Sequence, residues 1–155
     1  MSNSIDRDSY PIELIRGLSP NDSITPEGYV TASGFQFDPY DAKRGDNYCE
    51  LSINWKDDDG AIDKVLMQHK PNCAVPQFSI GYAIVERSKI DIMLKTYVDK
   101  LHFSYERCPV EGDKLKDIDD NPYHGNLLVN ESVGKQAKKN IQHSLATLAG
   151  LAIRR

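Results

Sequence analysis

Long apolar runs are absent from this sequence of 155 residues. A membrane-spanning helix needs about 20 predominantly apolar residues in succession, so we expect no membrane span. The chain is 39% hydrophobic and 27% charged, which lies outside the composition of intrinsically disordered proteins. We therefore expect a soluble protein in which residues 1–155 form a single globular domain.

Cysteine is scarce, and its three positions fit neither a disulfide framework nor a zinc site. Cys49, Cys73 and Cys108 form no C-x-x-C pair and have no closely spaced histidine partner. The sequence also lacks an EF-hand loop and a pair of histidines spaced as ligands on one helix. We expect no bound metal, and we expect free thiols, which are typical of the reducing cytoplasm.

Glycine-rich phosphate-binding loops are missing as well. Neither G-x-x-x-x-G-K-[ST] nor G-x-G-x-x-G occurs in the chain, so ordinary nucleotide-dependent chemistry has no support and we expect no cofactor. A fold that binds NAD without such a loop would leave no trace of this kind. Nucleotide or NAD binding therefore stays open as an alternative.

Acidic residues are lacking from the segment 132–155, which contains five basic residues. The rest of the chain contains 14 basic and 23 acidic residues, so the formal net charge of -4 combines an acidic body with a basic tail. The surface of a dedicated nucleic-acid binder is dominated by basic residues, and the overall balance argues against that function. The tail alone keeps a nucleic-acid contact open.

A long helix is predicted for this basic segment. Apolar residues recur every three or four positions from Val133 to Ala152, and Ser132 is placed to cap the helix, which would span about 22 residues. Its apolar stripe suits packing on a sheet or in a partner's groove, and its basic remainder suits a nucleic-acid contact. The residues predicted for that contact are Lys135, Lys138 and Lys139.

Alternating apolar residues predict strands in the body of the chain, and helical spacing predicts helices between them. Strands are predicted over 48–55, 78–86 and 101–107, with a short extended piece over 127–129. The first 47 residues are rich in turn signals, and there we expect only a short helix around 12–17 and a strand or two across 29–37. The order predicts an α+β domain, or a small α/β one, with one mixed sheet, two to three packed helices and a loop-rich N-terminal segment.

His124 is the leading candidate for chemistry. It follows a Pro-Tyr turn and a pair of aspartates, an arrangement that can orient an imidazole as a general acid or base. A histidine bonded to loop backbone is the structural alternative. Arg16 and Asn54 are the other catalytic candidates, and together with His124 they could surround a small anionic ligand such as a nucleotide.

Aromatic residues supply further candidates for ligand binding. Trp55, the only tryptophan, ends a predicted strand and suits either the core or a stacking platform. Tyr123 lies in the turn before His124. The ligand-binding candidates are Arg16, Trp55 and Tyr123.

Several short motifs occur in a fixed order along the chain. They are Arg16, Gly28-x-Val30-x-x-Ser33-x-Phe35, Asp46 before Leu51–Ile53, Gly81–Ile84 and Asn121–Gly125. This order resembles a widespread group of small bacterial proteins with no assigned function, which has a Leu-Ser-Val strand and a late Pro-x-His-Ala motif. This sequence has Gly125 in place of the alanine.

The resemblance implies a bacterial protein and implies no activity. The order of an early arginine and a serine-aromatic strand is also similar to ADP-ribosyltransferase-like NAD-binding domains. The sequence does not identify the catalytic glutamate or second histidine that such a domain needs.

These features favour a bacterial protein that acts by binding, first of all to a protein partner in a multi-gene system. They favour this binding function over an enzymatic one. Two alternatives remain. One is an ADP-ribosyltransferase-like or other nucleotide- or NAD-binding domain, and the other is a nucleic-acid contact through the basic C-terminal helix.

Overall fold

A computed structural model describes residues 10–20, 24–38, 47–97 and 103–155. In this part of the chain it shows six β-strands and three α-helices. Asp46 and the first two residues of the strand predicted over 101–107 lie outside the described residues. The strands are β1 (Glu13–Leu18), β2 (Tyr48–Trp55), β3 (Gly81–Glu86), β4 (Phe103–Arg107), β5 (His124–Asn130) and β6 (Ile153–Arg154), and the helices are α1 (Gly60–Met67), α2 (Arg87–Tyr97) and α3 (Lys135–Ala149).

The strands form one sheet in the order β4-β5-β2-β1-β3-β6. This confirms the prediction of an α+β domain with a single sheet and up to three helices. The expectation of a mixed sheet is wrong, because every pairing among the described strands is antiparallel. Strands β2 and β3, joined through α1, run in the same direction, but β1 lies between them and pairs antiparallel with both.

Strand β1 replaces the short helix that the sequence predicts around 12–17. Leu14 and Leu18 contact the main core, whereas Ile15 lies in a second cluster on the other face. A strand buried on both faces has no simple alternation, and apolar residues at positions 14, 15 and 18 imitate helical spacing. The segment predicted as a strand across 29–37 instead contains a short 3-10 helix, Ala32–Phe35.

The main core lies between one face of the sheet and the helices α2 and α3 with the 3-10 helix Ala32–Phe35. On the opposite face, α1 packs over β1 and β3 through Ala61 and Val65. Within the described residues, no helix has the length and apolar character that a membrane span requires.

Helix α3 is shorter than predicted. It begins at Lys135 after Gly134, and the backbone N–H of Ser132 donates to Asn130, so Ser132 is not the cap. Gly150 ends the helix with a φ of 66°, and the chain then turns back so that β6 pairs with β3. The basic tail is therefore divided between a helix and a sheet edge.

Candidate functional site

Strands β1 and β2 separate after only two paired positions, Leu14 with Trp55 and Ile15 with Asn54. Arg16 lies at this separation. Its Nε donates to the carbonyl of Gly34 at 2.8 Å and its Nη1 donates to the carbonyl of Ser52 at 2.7 Å. The guanidinium thus satisfies a strand carbonyl that β1 does not reach.

Burial lowers the pKa of the Arg16 guanidinium, and the charge of Asp38 opposes this shift. An arginine side chain keeps its proton at neutral pH in spite of such a shift. Its Nη2 has no hydrogen-bond partner among the described residues. A positive charge is therefore held away from bulk water with donor capacity to spare.

The three residues predicted as catalytic candidates come from neighbouring strands. Asn54 and His124 lie directly opposite each other in the β2–β5 ladder, on the face of Ile15. Arg16 belongs to the opposite face and lies where β1 and β2 separate. All three line a cavity of about 420 Å³ that we call the Arg16 cavity. Other residues that line it include Asp38, Ser52, Gln68, Lys70, Gln77 and Phe78.

Asn54 is 5% exposed, and its orientation is fixed by a second asparagine. The side-chain amide of Asn121 donates to Asn54 Oδ1 at 2.7 Å, and Asn121 Oδ1 accepts the backbone N–H of Tyr123 at 3.1 Å. Asn54 Nδ2 is left without a partner among the described residues. Because Asn54 lines the Arg16 cavity, a ligand bound there can accept from this amide.

His124 begins β5 and is half-buried. Its Nδ1 lies 2.8 Å from the carbonyl oxygen of Cys108. Because a carbonyl can only accept, Nδ1 carries the proton, and the Nε2 of the neutral ring keeps a lone pair. The structural alternative for His124 and a role in ligand binding are thus compatible, since the backbone bond holds the ring that lines the cavity.

A second cavity of about 380 Å³, which we call the His69 cavity, lies next to the first. The two share Gln68, Lys70, Gln77 and His124. It is lined by the end of α1 with the segment that follows it, and by the segment that follows β4. The apolar residues are Met67, Pro71, Val110 and Ile118, and the acidic ones are Asp117, Asp119 and Asp120.

His69 joins these two segments at the cavity wall. Its Nε2 lies 3.3 Å from a carboxylate oxygen of Asp119, and the backbone N–H of Asn72 donates to Asp117 at 2.7 Å. The contact with the Lys70 carbonyl raises the pKa of His69, and the charges of the two aspartates raise it further. No group of three or more His, Cys, Asp or Glu side chains among the described residues is arranged to hold a metal ion.

The two aromatic candidates have structural contacts. Trp55 is fully buried, stacks near Tyr10 and donates through Nε1 to the carbonyl of Glu106 at 3.1 Å. Tyr123 donates its hydroxyl to Asp58 at 2.8 Å, and this bond raises the pKa of Tyr123. A ligand could reach the Trp55 ring only by displacing its neighbours, and neither residue lines the two cavities.

The three lysines predicted for nucleic-acid contact have different surroundings on α3. Lys135 and Lys139 are exposed, whereas Lys138 is half-buried and donates to the thiol of Cys49 at 3.4 Å. Of the two terminal arginines, Arg155 donates to the carbonyl of Leu66 at the end of α1. The basic residues of the tail therefore do not form one continuous free face.

Sequence reasoning missed Gln68, Lys70 and Gln77, which both cavities share. They belong to the loop after α1, which is closed by a hydrogen bond of 2.8 Å from the Gln77 N–H to the Gln68 carbonyl oxygen. Prolines at 71 and 76 mark a turn-rich segment in the sequence. They do not indicate which polar side chains meet when the segment closes.

Comparison with known proteins found no matching family model, curated protein or solved structure. Function is therefore inferred from the residues of the two cavities themselves.

Proposed function

We propose that this protein binds a small organic anion in the Arg16 cavity. The observation that carries the proposal is that Arg16, Asn54 and His124, from three neighbouring strands, line one cavity. Two of them have a donor that no described residue occupies, namely Arg16 Nη2 and Asn54 Nδ2. A negatively charged group placed between them would receive charge-assisted hydrogen bonds.

Desolvation gives the physical reason for an anionic ligand. Burial lowers the pKa of Arg16 because the charged form has lost part of its hydration. An anion restores that stabilisation, and Lys70 adds a second positive charge at the cavity. Asp38 offsets part of this charge, which favours an anion with one negative charge over a multiply charged one. The volume of about 420 Å³ is within the range of small-molecule sites.

This proposal makes the chain a binding protein. Exposed thiols at Cys73 and Cys108 favour a reducing compartment such as the cytoplasm, and the bacterial source stays a prediction. The protein partner that the sequence favours stays a prediction. Nucleotide or NAD binding and a nucleic-acid contact also stay predictions. An acid–base role for His124 would require a substrate, which the panel below can reveal.

Thermal unfolding in the presence of organic anions tests the proposal. The panel contains monocarboxylates, N-acylated amino acids, inorganic phosphate, nucleotides, ADP-ribose and NAD. A ligand at 100 times its Kd stabilises the folded state by about 2.7 kcal/mol, which raises Tm by about 5–10 °C for a chain of this length. If no organic anion shifts Tm at about 10 mM, sites with Kd in the millimolar range or below are excluded and the proposal fails.

Asn54→Asp links binding to the cavity. The aspartate retains an oxygen that accepts the Asn121 amide, but it removes the Nδ2 donor and adds a negative charge. We expect the affinity for the anion to fall by about tenfold or more, as loss of a hydrogen bond to a charged group predicts. Asn140→Asp makes the same chemical change on α3, away from both cavities, and should leave binding intact. Equal losses in both variants would contradict the assignment.

A further inference from the structure

The two cavities are neighbours, and we call them together the extended site. Four residues, Gln68, Lys70, Gln77 and His124, border both of them. A ligand whose anionic group lies beside Arg16 and that reaches past these four residues enters the His69 cavity. The chemistry of that second half then restricts what the ligand is.

The balance of charge differs between the two cavities. The Arg16 cavity carries Arg16 and Lys70 against the single carboxylate of Asp38. The His69 cavity carries Lys64, the shared Lys70 and the imidazole of His69 against three carboxylates and is the more acidic of the two; the carboxylates are those of Asp117, Asp119 and Asp120. A ligand that is anionic at both ends, or that carries a phosphate with two charges, would be repelled by the acidic half. A molecule with an anion at one end and a cation at the other fits both halves.

Between the charged ends lies a pair of glutamines. Gln68 Nε2 donates to Gln77 Oε1 at 3.0 Å, and the backbone bond between the same two residues holds the pair in place. Gln68 Oε1 and Gln77 Nε2 are left without partners among the described residues. The pair thus offers one acceptor and one donor, which is what a peptide group requires.

The walls next to the glutamine pair are apolar. Met67 is 72% exposed although it lies at the end of a helix whose other apolar residues are packed, and Pro71, Val110 and Ile118 line the same cavity. Apolar side chains of a ligand would bury these groups from water.

We propose that the extended site binds a short free peptide, with its carboxylate between Arg16 and Asn54, a peptide group at the Gln68–Gln77 pair and its ammonium group near Asp117 and Asp119. This inference rests on the proposed function of the Arg16 cavity. It adds the second cavity, the direction in which the ligand lies and the requirement for two free termini.

The termini are tested with matched ligands and the full chain by isothermal titration calorimetry. The ligands are a tripeptide such as Ala-Leu-Ala, its N-acetyl derivative and its C-terminal amide, with a dipeptide and a tetrapeptide to define length. We expect the free tripeptide to bind best among the three tripeptides. Each blocked terminus should weaken binding by about tenfold, since each removes a charge-assisted contact.

Variants assign each terminus to its cavity. Asp119→Asn should weaken the free tripeptide but leave the N-acetyl derivative unaffected, because the acetyl group has already removed the ammonium charge. Asp63→Asn, at an exposed position of α1 outside both cavities, is the matched control and should have no effect. Asn54→Asp should weaken the free tripeptide and spare the C-terminal amide.

The outcomes separate this inference from the function on which it rests. If the N-acetyl derivative binds as well as the free peptide, the short-peptide inference is wrong and anion binding stands. The same conclusion follows if another organic anion binds through Asn54 and no peptide does. If the C-terminal amide binds as well as the free acid, the short-peptide inference is also wrong, because the carboxylate is then not held beside Arg16. If no organic anion binds at all, both proposals are overturned.

Discussion

Gly125→Ala places a single methyl group at the most crowded glycine near the candidate site. A Cβ at this position would overlap Trp55 Nε1, and it would lie 2.5 Å from the carbonyl oxygen of Glu106 and 2.7 Å from Trp55 Cδ1. Trp55 Nε1 and the Glu106 carbonyl oxygen are the two atoms that the Trp55–Glu106 hydrogen bond joins. Because the indole ring is fully buried, it cannot move aside without shifting the core around it.

The expected cost of Gly125→Ala combines two effects. Overpacking a close-packed core costs about 1–3 kcal/mol, and breaking the hydrogen bond of a buried donor adds about 1–3 kcal/mol. We therefore expect a loss of about 2–6 kcal/mol in the free energy of unfolding. Urea denaturation followed by tryptophan fluorescence measures this directly, since Trp55 is the only tryptophan.

Gly134→Ala is the control for Gly125→Ala. Apart from its chain neighbours, no atom of the described residues lies within 4 Å of a Cβ at position 134. Only the modest preference for glycine over alanine before a helix is therefore lost, which is about 1 kcal/mol. A Gly125→Ala protein within about 1 kcal/mol of the original would refute this account of Trp55 packing.

Three further results are expected. The contact with the Lys70 carbonyl, and then the charges of the aspartates, raise the pKa of His69. The stabilising effect of the His69 contacts is therefore present below about pH 6.5 and is lost as pH rises through the folded-state pKa. NMR titration should show a lower pKa for His69 in Asp119→Asn, and an unchanged value would contradict the contact. The hydrogen bond from Arg107 lowers the pKa of Asp57. Their half-exposed pair should therefore stabilise the fold only above the folded-state pKa of Asp57, and by at most about 1 kcal/mol. A larger loss in the free energy of unfolding on Asp57→Asn at pH 7 would contradict that limit. Two cysteine thiols are exposed and one is buried, so a thiol reagent should label two rapidly and the third only on unfolding; three fast reactions would disprove the burial.

Local patterning predicted those elements whose two faces differ. Strand β2 has the predicted bounds because apolar and polar residues alternate along it, and its apolar side chains pack in the core. Strand β1 could not be recognised in the same way, since both of its faces are buried. The prediction of a mixed sheet was made without β1, the strand that lies between β2 and β3 and pairs antiparallel with both.

The end of α3 shows a different limit of sequence reasoning. The apolar spacing continues from Leu148 to Leu151, but Gly150 adopts a positive φ, and the residues beyond it find partners on β3. Pairing with a distant strand satisfies backbone groups that a longer helix would have satisfied internally. Local spacing contains no information about that competition.

Chemical character identified Arg16, Asn54 and His124 as candidates, and the sheet register explains only part of why they line one cavity. Asn54 and His124 are cross-strand partners on the face of Ile15, whereas Arg16 belongs to the opposite face and lines the cavity where β1 and β2 separate. The donors left over there depend on long-range contacts, such as the bond from Asn121 that fixes the Asn54 amide. The second cavity depends on contacts between the segments after α1 and β4, such as that of Asn72 with Asp117. Three aspartates thereby line a cavity next to the one that Arg16 lines, and this difference in charge is the reason to test a zwitterionic ligand against a simple anion.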